Sequence, residues 1–224
     1  MQVKIDPREV LRYLGGKGRH ADSQVEQLVA DVIIETARQC EPRCTYRLFE
    51  VDREEGGLRL RRTSVVLAGK AIARHLHGSA SCAVMAVTIG SGIDRLMQQY
   101  SHTDLARSLV VDACATAAVE SVCDAVEEDI RTVARKKKLC ITRRFSPGYG
   151  DLPVELQPDI LRILEAHKKI GLAVTDSCML TPSKSVTAII GLREQPPGDA
   201  AKSCTECTGS AACRFRREET PSDA

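Results

Sequence analysis

Three stretches of the chain carry residues whose types and spacing could do chemistry. The first is Cys204-x-x-Cys207-x5-Cys213 near the C-terminus. Two thiolates two residues apart reach one ion from a tight turn, so the spacing suits zinc. An iron–sulfur cluster is a second option, although the usual bacterial spacing is tighter. A redox dithiol is a third and inert reduced thiols a fourth. Three cysteines are one short of a closed tetrahedral site; a fourth ligand would come from Cys178, Cys40, Cys44 or another subunit.

The second stretch is Arg143-Arg144-Phe145-Ser146-Pro147-Gly148-Tyr149-Gly150-Asp151-Leu152-Pro153. Prolines fix φ and glycines admit backbone that other residues resist, so the loop has a specified shape. Arginine beside exposed backbone N–H groups suits a carboxylate or phosphate. The alternative is an ordinary turn joining a strand to a helix. The third stretch is Gly90-Ser91-Gly92 before a helix start, an anion cradle or a structural turn. It lacks the dinucleotide fingerprint and the phosphate-loop lysine. Glu120 and Asp124 lie one helical turn apart and read as paired acid–base groups or as solvated helix charges. His75 and His77 point to different faces of a helix and make a poor metal pair. No G-x-S-x-G elbow nominates a hydrolase.

The elements that must position these residues follow from periodicity. Asp6-Pro7 starts a short helix, with the acid as N-cap and proline in the first turn. A helix over 23–39 places Val25, Leu28, Val29, Val32 and Ile33 on one face. Strands are expected over 46–51, 58–67 and 139–142, and a strongly apolar, central one over 80–89. A short helix spans 69–77, another runs from Gly90-Ser91-Gly92 to about Tyr100, and the longest occupies 104–137. Within it, the small side chains Cys114-Ala115-Thr116-Ala117-Ala118 fit close packing against another element. A helix over 154–169, interrupted early by Pro158, and strands over 174–180 and 185–192 complete the pattern. The fold class is α+β: a single domain over 1–193, with a mixed or mainly antiparallel sheet and long helices, then a linker and cysteine-rich tail over 194–224.

Composition narrows the function. Net charge is +2, from 32 basic and 30 acidic residues, which gives no electrostatic case for nucleic acid or a membrane surface. Seven aromatics (Tyr and Phe together) and no Trp make a poor base-stacking platform. No apolar run approaches a membrane span and the N-terminus lacks a signal-peptide core, so the chain reads as cytoplasmic. Ten cysteines in that setting are core residues, metal ligands or redox groups rather than a disulfide framework.

The segment Arg144-Phe145-Ser146-Pro147-Gly148-Tyr149-Gly150-Asp151-Leu152-Pro153 resembles the Arg-Pro-Ala-Pro-Gly-Tyr-Pro-Ala-Cys-Pro signature of the C-terminal reactivation (activation) domain of cobalamin-dependent methionine synthase. The order that follows is similar too: a helix ending Lys169-Ile170-Gly171, then Cys178-Met179-Leu180, then Pro182-x-Lys184-Ser185-Val186. The long helix beginning Asp112-Ala113-Cys114-Ala115 resembles the family's equivalent. The match runs from about residue 104 to 192 and is faint before that.

The resemblance implies a free-standing reactivation module, a component of the methionine synthase methyltransferase system. In that system cob(I)alamin is occasionally oxidised to inactive cob(II)alamin; an electron donor of the flavodoxin or ferredoxin type reduces it, and S-adenosylmethionine traps it as methylcobalamin. The implied ligand residues are Arg144 for the carboxylate, Ser146 through its backbone, and Gly148 and Tyr149 as pocket walls. Cobalamin would come from a partner methionine synthase or other corrinoid protein, since this chain lacks an Asp-x-His-x-x-Gly cobalamin motif. The chain departs from the family at three places. The early carboxylate that contacts the ligand amine has no located equivalent, Thr116 falls where the family has a glutamate, and linker replaces a Tyr-Tyr pair after the last strand. The rival expectations are a corrinoid-protein docking or assembly module without methyl-donor binding, and a cysteine-cluster (Fe–S or zinc) redox protein.

Overall fold

A computed structural model of the chain describes residues 3–16 and 22–194. Its frame is a sheet of six strands in the order β3-β2-β1-β4-β8-β5, antiparallel at every pairing. The strands are β1 (Arg43–Glu54), β2 (Gly57–Leu60), β3 (Val66–Leu67), β4 (Ser79–Thr88), β5 (Cys140–Ile141) and β8 (Ser185–Arg193). A two-stranded ribbon pairs β6 (Ala173–Val174) with β7 (Leu180–Thr181).

β4 is central because both of its faces are buried, and for the same reason its sequence is almost continuously apolar. Cys82, Val84 and Ala86 face one core, while Ala83, Met85 and Val87 face the other, as the two-residue period of a strand requires. The first core is closed by α3 (Lys70–His75), α6 (Gln157–Leu164) and α7 (Ala166–Ile170), through Ile72, Ile160, Leu164 and Ile170. The second is closed by the 32-residue helix α5 (Leu105–Lys136), through Ala115, Ala118, Val122, Val126 and Ile130. α5 is buried on a second side as well. Val110, Ala113, Cys114 and Ala117 pack against α1 (Pro7–Tyr13), α2 (Ser23–Gln39) and α4 (Gly92–Thr103). The run of small residues therefore serves close approach from two directions at once, and no flat ligand is needed to explain it.

Local signals set most boundaries. Asp6 accepts from Arg8 N–H at 2.8 Å and caps α1, and Asp104 accepts from Arg107 N–H at 2.9 Å and caps α5. Gly90-Ser91-Gly92 is a structural turn into α4, because a Cβ on Gly92 would lie 2.6 Å from the Gln39 carbonyl oxygen.

Three elements differ from expectation. The strand over 58–67 is two strands, folded at Arg61–Ser64, where Thr63 Oγ1 donates to the Leu60 carbonyl at 2.7 Å. That side-chain bond competes with the ladder. The helix over 154–169 is a 3-10 turn (Val154–Leu156) followed by α6 and α7. Pro158 falls in the first turn of α6, where its missing N–H costs nothing, and the break comes at Glu165 with φ 54. The strand over 174–180 is the β6–β7 hairpin, turning at residues 175–178 with Cys178 at φ 61.

Candidate ligand-binding site

Asp112, Thr116, Glu120, Asp124 and Glu127 recur at three- and four-residue intervals and so form one stripe along α5. Two cations from elsewhere in the chain close on it. Lys184, just before β8, donates from Nζ to Asp112 Oδ1 at 2.8 Å and to Thr116 Oγ1 at 2.9 Å. Arg144 donates from Nη2 to Glu120 Oε2 at 2.9 Å and from Nη1 to Asp124 Oδ1 at 2.8 Å, with Glu127 Oε2 3.5 Å from Nη1. Glu120 and Asp124 are thus neither an acid–base pair nor merely solvated charges: they are held by one guanidinium.

The backbone around Arg144 is fixed on both sides. Phe145 exchanges two hydrogen bonds with Ile189 of β8, at 3.0 and 2.8 Å. The Arg143 carbonyl lies 2.9 Å from His75 Nε2 and accepts from Thr142 Oγ1 at 3.1 Å. Beyond Phe145, towards Lys184, the outer edge of β8 carries no further strand among the described residues. The α5 stripe, the two cations and the 144–153 loop meet along that edge.

The loop is built as its composition predicts. Tyr149 N–H donates to the Ser146 carbonyl at 3.1 Å, Leu152 N–H to the Tyr149 carbonyl at 3.1 Å, and Gly148 N–H to the Leu152 carbonyl at 2.8 Å. Leu152 is buried in the core shared with α3 and α6. Asp151 accepts from the N–H groups of Lys70 at 2.6 Å and Ala71 at 2.9 Å, capping α3 from a distance of 80 residues in sequence. These two bonds hold its carboxyl below the usual aspartate range. Gly150, at φ 57, is required here: a Cβ would lie 2.7 Å from that of Ala71. Tyr149 is 62% exposed and meets Phe145 edge-on at 6.3 Å, and Phe145 lies 4.9 Å from the His75 ring.

The site is anionic. One guanidinium faces three carboxylates, of which Glu127 is also bonded to Arg131 at 2.8 Å, so the formal balance is −1, while Lys184 and Asp112 cancel. Burial alone would lower the Arg144 pKa; the bond to Asp124 and the surrounding negative charge outweigh it and hold the group firmly protonated. Beneath, burial pushes the Cys123 thiol up to about 12. The Cys82 and Cys114 thiols are likewise raised to about 12, chiefly by burial. These three cysteines are core residues, and no group of three His, Cys, Asp or Glu among the described residues could hold a metal ion.

Of the four ligand residues expected in the loop, Arg144 reaches α5, while the described hydrogen bonds of Ser146, Gly148 and Tyr149 stay within the loop. Cys204, Cys207 and Cys213 lie outside the described residues. Sequence reasoning passed over Lys184 as a cation facing α5, Asp151 as the cap of α3, and His75 as the support of the Arg143 carbonyl. The four-residue recurrence of polar side chains from Asp112 to Asp124 was the available signal for the stripe. Nothing local marked His75 or Asp151, whose partners are 68 and 80 residues away.

A family model described as vitamin B12 dependent methionine synthase, activation domain, matches residues 70–196. Among solved structures, the crystal structure of the MetH reactivation domain bound to AdoHcy superimposes with a TM-score of 0.65 at 20% sequence identity. The alignment covers 84% of this chain and 73% of that one, so the two share a fold. No curated protein matches the sequence.

Proposed function

Because the chain belongs to the vitamin B12-dependent methionine synthase activation-domain family, we propose that it binds S-adenosylmethionine along the α5–β8 edge and acts in trans on a corrinoid methyltransferase. The observation that carries this reading is the placing of Arg144. The loop arginine matched to the family's carboxylate binder stands at a cluster of α5 carboxylates instead of in solvent. S-adenosylmethionine bears a sulfonium and an ammonium against one carboxylate, a net cation. An arginine fork within a formal excess of one negative charge complements both ends of such a molecule.

In this reading Arg144 takes the ligand carboxylate in exchange for Asp124, which is 68% exposed and the most readily released of its partners. Asp124, released from the guanidinium, is then free to accept from the ligand amine. Tyr149 offers an exposed aromatic face to the sulfonium. Gly148, with nothing within 4 Å of its Cβ position, leaves the approach open, and Ser146 contributes backbone. At the other end of the stripe Thr116 stands where the family carries a glutamate, and it is bonded to Lys184 instead. The corrinoid, carried by the partner, supplies the cobalt centre that accepts a methyl group. The residues of this chain bind and orient the methyl donor, and a flavodoxin- or ferredoxin-type protein supplies the electron.

Calorimetric titration of the whole chain with S-adenosylmethionine, with and without a corrinoid protein, tests the reading. Saturable binding that Arg144→Ala weakens is the expected result. Absence of binding in both arms overturns it and leaves the docking-module alternative.

The tail supports a second activity. Its three cysteines fall within ten residues of one another in a mainly polar and small-residue stretch, whereas Cys82, Cys114 and Cys123 are single core residues of β4 and α5. Cys204, Cys207 and Cys213 are therefore proposed as ligands of a zinc ion or an iron–sulfur cluster. Iron, sulfide and zinc analysis after anaerobic purification decides between them; a colourless, metal-free protein with three titratable tail thiols overturns both.

A further inference from the structure

His75 ends α3 beneath the 144–153 loop, and no contact with the ligand is required of it. Its Nε2 atom is 2.9 Å from the Arg143 carbonyl oxygen and 2.9 Å from Thr142 Oγ1. A carbonyl only accepts, so the short contact assigns the proton to Nε2, and His75 is the donor. Thr142 Oγ1 accepts from Gly191 N–H of β8 at 2.8 Å, which leaves its own proton for the same carbonyl at 3.1 Å. The peptide entering Arg144 is thus gripped by two donors, one from α3 and one anchored to β8. The next residue, Phe145, is locked into the ladder with Ile189 and packs on the His75 ring at 4.9 Å. Between these two fixed points the Arg144 backbone has little freedom.

We propose that His75 is a positioning residue, which by donating from Nε2 to the Arg143 carbonyl sets the direction in which Arg144 projects at the α5 carboxylates. The idea rests on the ligand reading above for its consequence in binding, but not for its consequence in the loop. His75 acts through the peptide and makes no contact with the ligand. Burial, the largest influence on its pKa, lowers it and favours the neutral ring; the Arg143 carbonyl bond opposes this and the nearby Arg193 charge adds to it.

Two variants separate the hydrogen bond from the packing. His75→Leu keeps apolar contact with Phe145 and removes the donor. His75→Gln places an amide N–H where Nε2 was and restores it. Hydrogen exchange on the whole chain, without ligand, is read at the amides of Phe145, Gly148 and Leu152. His75→Leu is expected to speed them roughly 10-fold, about the worth of one such bond, with His75→Gln close to the original protein and β4 amides unchanged. Affinity for S-adenosylmethionine is expected to follow the same order, falling about 10-fold in His75→Leu and recovering in His75→Gln. Unchanged exchange in His75→Leu overturns the proposal. Equal defects in both variants overturn it too, since ring packing would then be what matters. If the original protein fails to bind S-adenosylmethionine, the ligand reading falls, and the exchange comparison still decides the role of His75.

Discussion

Both terminal nitrogens of Arg144 are held by α5 carboxylates, so a ligand carboxylate that takes the fork through both of them displaces one of its partners. Glu120 and Glu127 are 38% and 20% exposed, and Asp124 is 68% exposed. An ion pair that open to water is worth about 0–1 kcal/mol. A charge-assisted bond from the same guanidinium to a bound carboxylate is worth about 1.5–3 kcal/mol. The exchange therefore favours the ligand by roughly 0.5–3 kcal/mol, about 2- to 150-fold in Kd. The assay that isolates this contact is calorimetry with S-adenosylmethionine and its decarboxylated analogue, read as the ratio of the two affinities. Charge effects on the sulfonium and amine cancel in that ratio. Arg144→Ala is expected to bring the ratio close to one. Asp124→Asn removes the competing carboxylate and is expected to raise the ratio by up to about 5-fold. Arg144→Ala also leaves Glu120 and Asp124 without their cation and is expected to cost about 1–2 kcal/mol of stability, so folding is checked by thermal melting. A ratio that ignores Arg144→Ala, or that falls in Asp124→Asn, refutes the exchange and leaves Arg144 as a tie between the loop and α5.

Asp151→Asn is expected to lower Tm and to speed amide exchange in both α3 and the loop, because one carboxylate caps the first and anchors the second. The folded carboxyl pKa lies below 3.8, so this stabilisation is fully present above about pH 3.8 and is lost as pH falls through the folded value. The Tm gap between the original protein and Asp151→Asn should accordingly close in acid, and a gap that widens below pH 4 contradicts the assignment. Cys82, Cys114 and Cys123, with thiols raised to about 12 chiefly by burial, should resist thiol reagents at pH 8 until the protein is unfolded. Rapid labelling of Cys123 in the native protein, detected by peptide mass, would contradict its place beneath Arg144.

What could be read from the sequence was set by locality. β4 announced itself because burial on both faces leaves no polar alternation to interpret. The 32-residue α5 was legible because its period persists and Asp104 caps it. The 144–153 loop was legible because Pro147, Gly148 and Gly150 restrict the backbone whatever surrounds them. The β6–β7 turn was missed because Cys178 takes the left-handed φ that Gly or Asn usually takes. The α5 stripe was half seen. Glu120 and Asp124 were noticed as a pair, but their partner is fixed only once residues 142–145 lie along β8. His75 was weighed against His77 as a metal ligand, when its partner was a backbone carbonyl, a group with no signature in sequence.

The order of strands sets where the chain can be cut. The segment matched by the family model begins at residue 70 and so contains β4 but not β1. In the fold, β1 covers one whole edge of β4, in register from Arg43–Thr88 to Glu50–Ser81. Deleting the first 69 residues would turn the most apolar strand of the sheet into a bare edge, a template for pairing with other molecules. It would also strip α1 and α2 from the outer side of α5. The segment that the family model matches is thus smaller than the part that folds as one unit, and an expression boundary drawn at the former would yield aggregate.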